Sequence, residues 1–349
     1  MLPNKKTDKD KERQRQKQQS SLIHEGTYGC GVKPLMSCKK SKISEDSTKY
    51  VGKIMLRKHS TPELSMGALV KAIPNWEKYF VVPDDDNCDE TNFKSHRDEY
   101  EKICKVFQKS LDSDLTQLIA PYAGISIRRL NITSDFDFIG SLKHMLEGVS
   151  ILNKQGICHS DLHDGNILVD LYDTFRIIDF GSAFVGDTLT ETEIKKHIYS
   201  FSPEFPPQPP EFAMQNGIYE GFTIIHTLES TIAQKRIFKQ AQRLIGLSAD
   251  QQRHDLIEFW KNDTTWKGGS WIPFFNAYWR LWDSWSIGIL FLEILQKCFL
   301  LPGFLQTTWI TDNMIIKTVL KGLLASSPVK RLTAEDALKL LQARDSYQL

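Results

Sequence analysis

Two short polar motifs, joined by a segment that predicts a β-hairpin, restrict most strongly how this chain can fold. The first is His159-Ser-Asp-Leu-His-Asp-Gly-Asn166, and the second is Ile178-Asp-Phe-Gly181. The residues between them form two apolar, branched-rich runs around the turn-like Leu171-Tyr-Asp-Thr174, a pattern typical of two short antiparallel strands. Such a hairpin would return the second motif to the first.

Three polar side chains are expected to meet where the two motifs come together. Asp161 and Asn166 lie five residues apart, and Asp179 follows Asn166 by 13. A carboxylate can accept a proton from a hydroxyl group, and carboxylate and amide oxygens are ligands that suit Mg²⁺. Asp and Asn are also ordinary turn residues, but the two motifs together, at this spacing, favour a chemical role.

The two motifs resemble the catalytic loop and the metal-binding loop of protein kinases. The resemblance extends from about Leu22 to Leu340. It implies that Asp161 acts as the catalytic base that orients the attacking hydroxyl. It also implies that Asn166 and Asp179 hold Mg²⁺ or Mn²⁺ against the phosphates of ATP.

The same resemblance implies an α+β, bilobal protein-kinase-like fold. The N-lobe, residues 22–121, would contain an antiparallel sheet and one main helix. The C-lobe, residues 122–349, would be mostly helical. It would carry a large insertion at about 212–275, because Asp283 follows Glu204 by 79 positions, a much longer distance than in ordinary protein kinases.

The segment His24-Glu-Gly-Thr-Tyr-Gly-Cys-Gly31 resembles the glycine-rich phosphate-binding loop of kinases. Glycines let the backbone approach phosphates and offer N–H donors without a Cβ in the way. The resemblance assigns cofactor contacts to His24, Gly26, Gly29 and Val32. Two positions depart from the family, since His24 replaces the first glycine and Gly31 replaces the valine that covers adenine. Val32 would take the valine's place after a shift of one residue.

The segment Tyr50-Val-Gly-Lys-Ile-Met55 resembles the third kinase strand, whose lysine contacts the α- and β-phosphates. Apolar neighbours indicate that this strand is buried, and a buried ammonium group needs a partner. Glu63 is the first candidate to pair with Lys53. Glu99 and Glu101 are the alternatives.

Several elements are predicted from residue patterns. Thr61 as N-cap and Pro62 at the first helical position predict a helix over 62–73. Apolar periodicity predicts a helix over 136–155. Further helical patterns cover 94–109, 228–246 and 250–261, and a strand is expected over 79–82.

Pro121, Tyr122 and Ala123 follow a predicted strand and resemble the hinge between kinase lobes. In that family the backbone of the hinge hydrogen-bonds adenine. The resemblance therefore implies that these three residues contact the base of ATP.

Three further residues resemble architectural positions of kinases. Asp283, in Trp282-Asp-Ser-Trp-Ser-Ile-Gly288, would bond the backbone of the catalytic loop. Glu204 would form a buried bidentate bridge to Arg331. Glu211 is the second candidate for that bridge, because it also follows a proline.

Two positions near Asp161 depart from the protein-kinase pattern. Ser160 replaces the usual arginine, which predicts that activity does not need phosphorylation of the segment after Asp179. His163 replaces a lysine and could donate one hydrogen bond in its place, which predicts a slower enzyme. This loop is also similar to that of aminoglycoside and choline kinases, so a small-molecule acceptor stays an alternative.

Six of the eight tryptophans fall at the end of the insertion or in the helix after it, at 260, 266, 271, 279, 282 and 285. Such a cluster is more often packing than recognition, although a docking surface for a partner on 212–275 is the alternative. The atypical glycine loop, the catalytic loop and a compact helix after Lys53 resemble the divergent serine/threonine kinases of large double-stranded DNA viruses.

Composition limits the setting in which such a chain would work. Six scattered cysteines without CxxC pairs predict neither a zinc site nor a disulfide framework, so an intracellular, cytoplasmic location (host cytoplasm or virion if viral) is expected. The apolar run Ile287–Leu305 contains Glu293, Gln296 and Lys297, which favours a buried helix over a membrane span. Residues 1–21 predict a flexible tail, because the first 20 include seven basic and three acidic residues. A weak contact of this tail with nucleic acid or an acidic partner is the alternative.

The sequence thus favours an ATP- and Mg²⁺-dependent kinase that acts on Ser/Thr hydroxyls of protein substrates. A small-molecule phosphotransferase is the second hypothesis. The third is a pseudokinase scaffold, which the presence of Lys53, Asp161, Asn166 and Asp179 disfavours because a scaffold has no chemical need for all four.

Overall fold

The computed structural model of the chain is mixed α+β, with small antiparallel sheets and mostly helical content. It describes residues 21–25, 29–38, 49–85, 88, 91, 93–267 and 269–346. Two compact units are present: Met1–Pro74 with Val81–Ala123, and Asn75–Phe80 with Gly124–Leu349. Residues 1–20 of the predicted tail and Gly26 lie outside the described residues, while Ser21, the last residue of that tail, begins a strand.

The first unit contains a four-stranded antiparallel sheet whose strands follow chain order. Branched and apolar residues of the third strand, such as Ile54 and Met55, are fully buried, which explains why this segment forms the centre of the sheet. The strands are β1 (Ser21–Glu25), β2 (Gly29–Lys33), β3 (Tyr50–Leu56) and β4 (Leu115–Pro121).

Helix α1 (Arg57–Lys71) starts directly after β3, five residues earlier than predicted. The expected N-cap at Thr61 was therefore wrong, and Pro62 lies inside the helix, where it removes one helical hydrogen bond. The hydroxyl of Ser60 donates to the carbonyl oxygen of Arg57 at 2.8 Å in the first turn of the helix. Glu63, Met66, Gly67 and Val70 form the buried face of the helix, at the spacing typical of one helical stripe.

The stretch predicted as a helix over 94–109 is divided. It contains a 3₁₀ turn, Phe93–His96, followed by α2 (Arg97–Tyr100) and α3 (Lys105–Lys109). Aromatic side chains of this stretch pack with Cys30 of β2 in a small core. Within that unit two disulfides join Cys30 to Cys104 and Cys38 to Cys88, which corrects the expectation that the cysteines form no disulfide framework.

The second unit is built around α4 (Phe138–Lys154) and α11 (Trp282–Cys298), which pack together through contacts such as the edge-to-face pair Phe138–Phe291. The predicted hairpin is present as β7 (Ile167–Val169) and β8 (Phe175–Ile177). The remaining strands are β5 (Ile125–Ser126), β6 (Ile157–Cys158) and β9 (Phe184–Val185). The remaining helices are α5 (Glu191–Lys196), α6 (Pro210–Tyr219), α7 (Ile224–Gln234), α8 (Ile237–Ile245), α9 (Ala249–Asn262), α10 (Ile272–Tyr278), α12 (Pro302–Phe304), α13 (Ile310–Leu323) and α14 (Ala334–Ser346).

The predicted strand over 79–82 does not form. Residues 79 and 80 instead meet the hairpin of the second unit, where the N–H of Ile177 donates to the carbonyl oxygen of Tyr79 at 2.8 Å. Phe80 forms an isolated parallel bridge with Ile177. The Phe80 ring packs edge-on against Phe180 at 5.8 Å, so one backbone hydrogen bond and side-chain packing, rather than a sheet ladder, hold this segment.

Aromatic packing dominates the insertion, residues 212–275. Its ring contacts include Trp260–Phe274 at 5.7 Å and Trp271–Phe274 at 5.4 Å, as the packing interpretation of the tryptophans predicted. No single helix among the described residues is long and apolar enough to cross a membrane. One pair, Ile272–Cys298 and Pro302–Leu323, passes that test only when taken together, and it is bent by 106°.

Candidate active site

The loop that contains Asp161 is held by a buried carboxylate. Asp283, at the start of α11, accepts hydrogen bonds from the backbone N–H groups of His159 and Ser160 at 2.7 and 2.9 Å. This is the contact that the sequence predicted for Asp283. Ser160 has a left-handed backbone, with φ of 63°, which is costly for a residue with a Cβ. Burial raises the pKa of Asp283.

The hairpin brings Asp179 back to this loop. Its strands pair Ile167 with Ile177, and the N–H of Ile178 donates to the carbonyl oxygen of Asn166 at 3.0 Å. The imidazole Nε2 of His159 hydrogen-bonds the carbonyl oxygen of Ile178 at 2.9 Å. The loop and the second motif are thus joined by backbone and side-chain bonds.

Asp161, Asn166 and Asp179 meet as the sequence predicted. The amide Nδ2 of Asn166 donates to the carbonyl oxygen of Asp161 at 2.9 Å and to its carboxylate Oδ2 at 3.4 Å. Burial raises the pKa of Asp161, and the charge of Asp179 adds to this rise. The charges of His163 and His159 and the hydrogen bond from Asn166 lower this pKa and so oppose the rise. A carboxylate with a raised pKa is a better proton acceptor than an ordinary one.

The donor set suits a magnesium ion. Asn166 directs its amide nitrogen to Asp161, so its oxygen is the atom left to face a cation. Asp179 has φ of 66° and accepts a hydrogen bond from the N–H of Gly181 through one oxygen at 3.4 Å. Among the described residues, no three His, Cys, Asp or Glu side chains gather to hold a metal by themselves. Mg²⁺ commonly uses only one or two protein oxygens together with phosphates and water, and Asn166 with Asp179 fit that pattern.

The first unit contains the predicted pair between Lys53 and Glu63. The Nζ of Lys53 lies 2.7 Å from the Oε2 of Glu63, whose side chain is 2% exposed. The alternative Glu101 pairs with Arg97 instead. Lys53 itself lies in register with Gly31 and Leu118, so strand pairing on both sides fixes its backbone.

The glycine-rich segment is described only in part. The backbones of His24 and Gly31 are paired, and Val32 is buried. A Cβ on Gly29 would come within 2.5 Å of the carbonyl oxygen of Ile54. Strand packing alone therefore requires a glycine at position 29, whether or not a phosphate binds there.

Only part of the predicted hinge backbone can donate a hydrogen bond to a base. Pro121 ends β4 and has no N–H, while the N–H of Tyr122 donates to the carbonyl oxygen of Lys49 at 2.8 Å. The Nζ of Lys33 lies over the Tyr122 ring at 3.2 Å. Ala123 is therefore the one of these three residues whose N–H stays a candidate for the adenine contact.

The expected bridge between Glu204 and Arg331 was wrong. Arg331 donates to both carboxylate oxygens of Glu211, at 2.6 and 2.8 Å, and both side chains are fully buried. Glu204 is exposed. The sequence pattern ranked Glu204 first and Glu211 second, since both follow prolines. Only Glu211 lies on a helix, α6, whose first turn enters the core.

Sequence reasoning missed Lys235, a buried cation beside this bridge. Its Nζ donates to the carbonyl oxygen of Phe205 at 3.0 Å. Burial lowers its pKa to about 7, and the charge of Arg331 adds to the lowering, while Glu211 and Glu204 oppose it. It lies where the predicted helix over 228–246 breaks into α7 and α8. A lysine at a helix end is usually solvated, so no sequence signal indicated its burial.

Comparisons with known proteins match the region that carries the site. Residues 142–192 match the phosphotransferase enzyme family. A probable serine/threonine-protein kinase of Schizosaccharomyces pombe is 36% identical over 77 residues, which are 21% of this chain and 10% of that protein. The match thus spans about a tenth of that relative's length. Together these similarities support a kinase-like protein and phosphotransfer chemistry.

Proposed function

We propose that this chain is an ATP-dependent protein kinase that transfers the γ-phosphoryl group of ATP to Ser/Thr hydroxyls. The observation that carries the proposal is the meeting of Asp161, Asn166 and Asp179 on one loop and hairpin of the second unit. The Lys53–Glu63 pair of the first unit adds support, since a lysine held by a glutamate is the phosphate-binding arrangement of kinases.

In this proposal each residue has one task. Magnesium-bound ATP supplies the phosphoryl group and the neutralisation of its charge. Asn166 and Asp179 hold the metal, and Lys53 holds phosphate oxygens. Asp161 orients the acceptor hydroxyl and receives its proton.

A protein acceptor is favoured by the way the segment 202–209 is anchored. Trp285 donates from Nε1 to the carbonyl oxygen of Pro206 at 2.9 Å, and Ser286 donates from its hydroxyl to that of Pro207 at 2.8 Å. The buried Arg331–Glu211 bridge fixes the end of the same segment. A rigid surface after the catalytic loop suits an extended polypeptide.

A small-molecule acceptor is the second candidate function. It is supported by the match of residues 142–192 to the phosphotransferase enzyme family and by His163 in place of a lysine. The proposal also includes a resemblance to kinases of large double-stranded DNA viruses and an intracellular location. It includes partner contacts of the insertion and the tail as well. Sequence patterns are the support for each of these.

The test uses radiolabelled ATP and Mg²⁺ with the full chain, casein, a basic protein and small hydroxyl compounds. We expect label on protein, and we expect Asp161→Ala to lower the rate at least about 100-fold. Asp173→Asn is the matched control, because Asp173 is an exposed turn residue with φ of 56° that Asn tolerates. Label only on small hydroxyl compounds would favour the second candidate, and no transfer at all would refute both.

A further inference from the structure

We propose that His163 holds the oxygen of the acceptor hydroxyl, together with Asp161. This inference rests on the proposed function and assigns a further substrate-contacting residue to it. One nitrogen of the His163 ring, Nδ1, is held by the backbone, and the other, Nε2, faces Asp161.

The backbone of Gly165 fixes one nitrogen of the ring. Its N–H donates to the Nδ1 of His163 at 2.9 Å. A Cβ on residue 165 would lie 2.6 Å from the Cε1 of His163 and 2.9 Å from Nδ1, so only glycine leaves room for the ring here. The ring of Phe205 lies edge-on to the imidazole at 6.5 Å.

The same bond decides which nitrogen carries the proton. A nitrogen that accepts from an N–H must present its lone pair, so the proton of the neutral ring lies on Nε2. Asp164 does not compete for Nδ1, because its nearest oxygen is 3.7 Å away, beyond hydrogen-bond distance. The carboxylate of Asp164 instead accepts two hydrogen bonds from Arg128, at 2.9 and 2.7 Å.

The Nε2 of His163 lies 4.0 Å from the Oδ1 of Asp161, and the side chains are 24% and 40% exposed. That separation is too long for a direct hydrogen bond but is spanned by one oxygen atom at normal distance from both. A hydroxyl fits there chemically, because it can donate its proton to Asp161 and accept a hydrogen bond from Nε2–H. One lone pair of its oxygen stays available for attack.

In the transfer step, the γ-phosphoryl group passes from ATP to the acceptor oxygen. The acceptor oxygen forms a bond to the γ-phosphorus while the bond from that phosphorus to the bridging oxygen breaks, and ADP leaves with the electron pair. The hydroxyl proton passes to a carboxylate oxygen of Asp161 and is later released to water. His163 keeps its proton throughout and acts by orientation, which matters more than nucleophile strength in a loose transition state.

Two isosteric substitutions separate the two ring nitrogens. In His163→Asn, the side-chain oxygen can still accept from Gly165, but no donor remains at the place of Nε2. In His163→Gln, the amide N–H reaches that place. His226→Asn is the control, because His226 lies on α7 in the insertion, where its backbone N–H donates to the Oγ1 of Thr223 and its ring lies near that of Phe222.

We expect His163→Asn to lower kcat/KM for the acceptor about 10- to 100-fold, the size expected for one lost hydrogen bond. His163→Gln should recover most of that loss, and the dissociation constant of a non-hydrolysable ATP analogue should be the same in both variants. Full acceptor kcat/KM in His163→Asn would overturn the proposal, as would equal losses in both variants. Weaker nucleotide binding with an unchanged KM for the acceptor would overturn it too, since His163 would then face the nucleotide.

A second measurement does not depend on activity. Nitrogen-15 NMR of the histidine-labelled full chain, with His163→Asn to identify the signal, should show the neutral ring protonated at Nε2. Protonation at Nδ1 would refute the geometry even in an active enzyme. If wild type transfers to no acceptor while the ring has the expected tautomer, the proposed function fails and the acceptor role of His163 fails with it. If wild type transfers phosphate but the His163 ring is protonated at Nδ1, the proposed function stands and only the role of His163 is rejected.

Discussion

The catalytic loop and the insertion of the second unit differ in how fully their buried polar groups are hydrogen-bonded. In the loop, the buried side chain of Asn166 donates to the carbonyl oxygen of Asp161, and that of His159 hydrogen-bonds the carbonyl oxygen of Ile178. The buried carboxylate of Asp283 accepts from the backbone of the loop. In the insertion, the side-chain amide of Gln215 and the hydroxyl of Thr231 are buried without hydrogen-bond partners among the described residues. The loop is thus positioned by directional bonds, and the insertion is held mainly by aromatic packing.

Each region should tolerate a different kind of substitution. Hydrogen bonds fix the direction of a side chain, which a site for phosphoryl transfer requires. Aromatic packing contributes free energy roughly in proportion to buried area, and it constrains position less strictly. Substitutions should therefore change function in the loop and stability in the insertion.

The largest effect on stability is expected where a directional bond is also fully buried. Arg331→Ala removes the partner of Glu211 and leaves its carboxylate buried and uncompensated, which should lower the free energy of unfolding by about 3–5 kcal/mol. Urea denaturation measures this. Lys339→Ala is the control, since its pairs with Glu335 and Asp336 are exposed, and it should cost less than about 1 kcal/mol. A loss below that control value for Arg331→Ala would contradict the bridge.

A cavity in the insertion should cost nearly as much stability without changing the chemistry. Phe274 is fully buried among aromatic rings, so Phe274→Ala should lower the free energy of unfolding by about 3–4 kcal/mol. The kcat per folded molecule should stay at the wild-type value. Leu171→Ala serves as the control, because Leu171 is 99% exposed. A large fall in kcat for folded Phe274→Ala would show that the insertion positions the catalytic loop.

A smaller and pH-dependent effect is expected for Lys235, where the insertion holds a charge. Its pKa is about 7 in the folded chain and 10.5 ordinarily, so between these values the unfolded chain binds more protons and stability rises with pH. Below pH 7 the full cost of burying the charge is present. The gain in free energy of unfolding from Lys235→Met, relative to wild type, should therefore be largest below pH 7.

The difference in free energy of unfolding between Lys235→Met and wild type should decrease by about 2–3 kcal/mol between pH 7 and pH 9. Urea denaturation at several pH values measures it, with Lys239→Met as the control because Lys239 is exposed on the next helix. A difference between variant and wild type that is constant with pH would show that Lys235 titrates near its ordinary value.

Local patterns made part of the site predictable. Asp161 and Asn166 lie on one short loop, and the apolar runs on both sides of residues 171–174 could pair only as a hairpin, so Asp179 had to return to them. The pairing of Lys53 with Glu63 was also predictable, because the helix that follows the strand begins within a few residues.

Contacts between distant residues were not predictable. The choice of Glu211 over Glu204 depended on which glutamate enters the core on α6. The bond between Cys30 and Cys104 joins residues 74 positions apart. The early start of α1 resulted from a strand that continues into a helix without a loop, which no capping signal marked.

The order of residues was enough to show which oxygen and nitrogen donors the candidate site contains, and that a short hairpin brings three of these side chains to one place. Only the folded chain shows which glutamate binds Arg331 and that Lys235 is buried. The physical reason is that turn and strand preferences act between near neighbours. Desolvation and the direction of a hydrogen bond depend instead on residues that only the folded chain brings together.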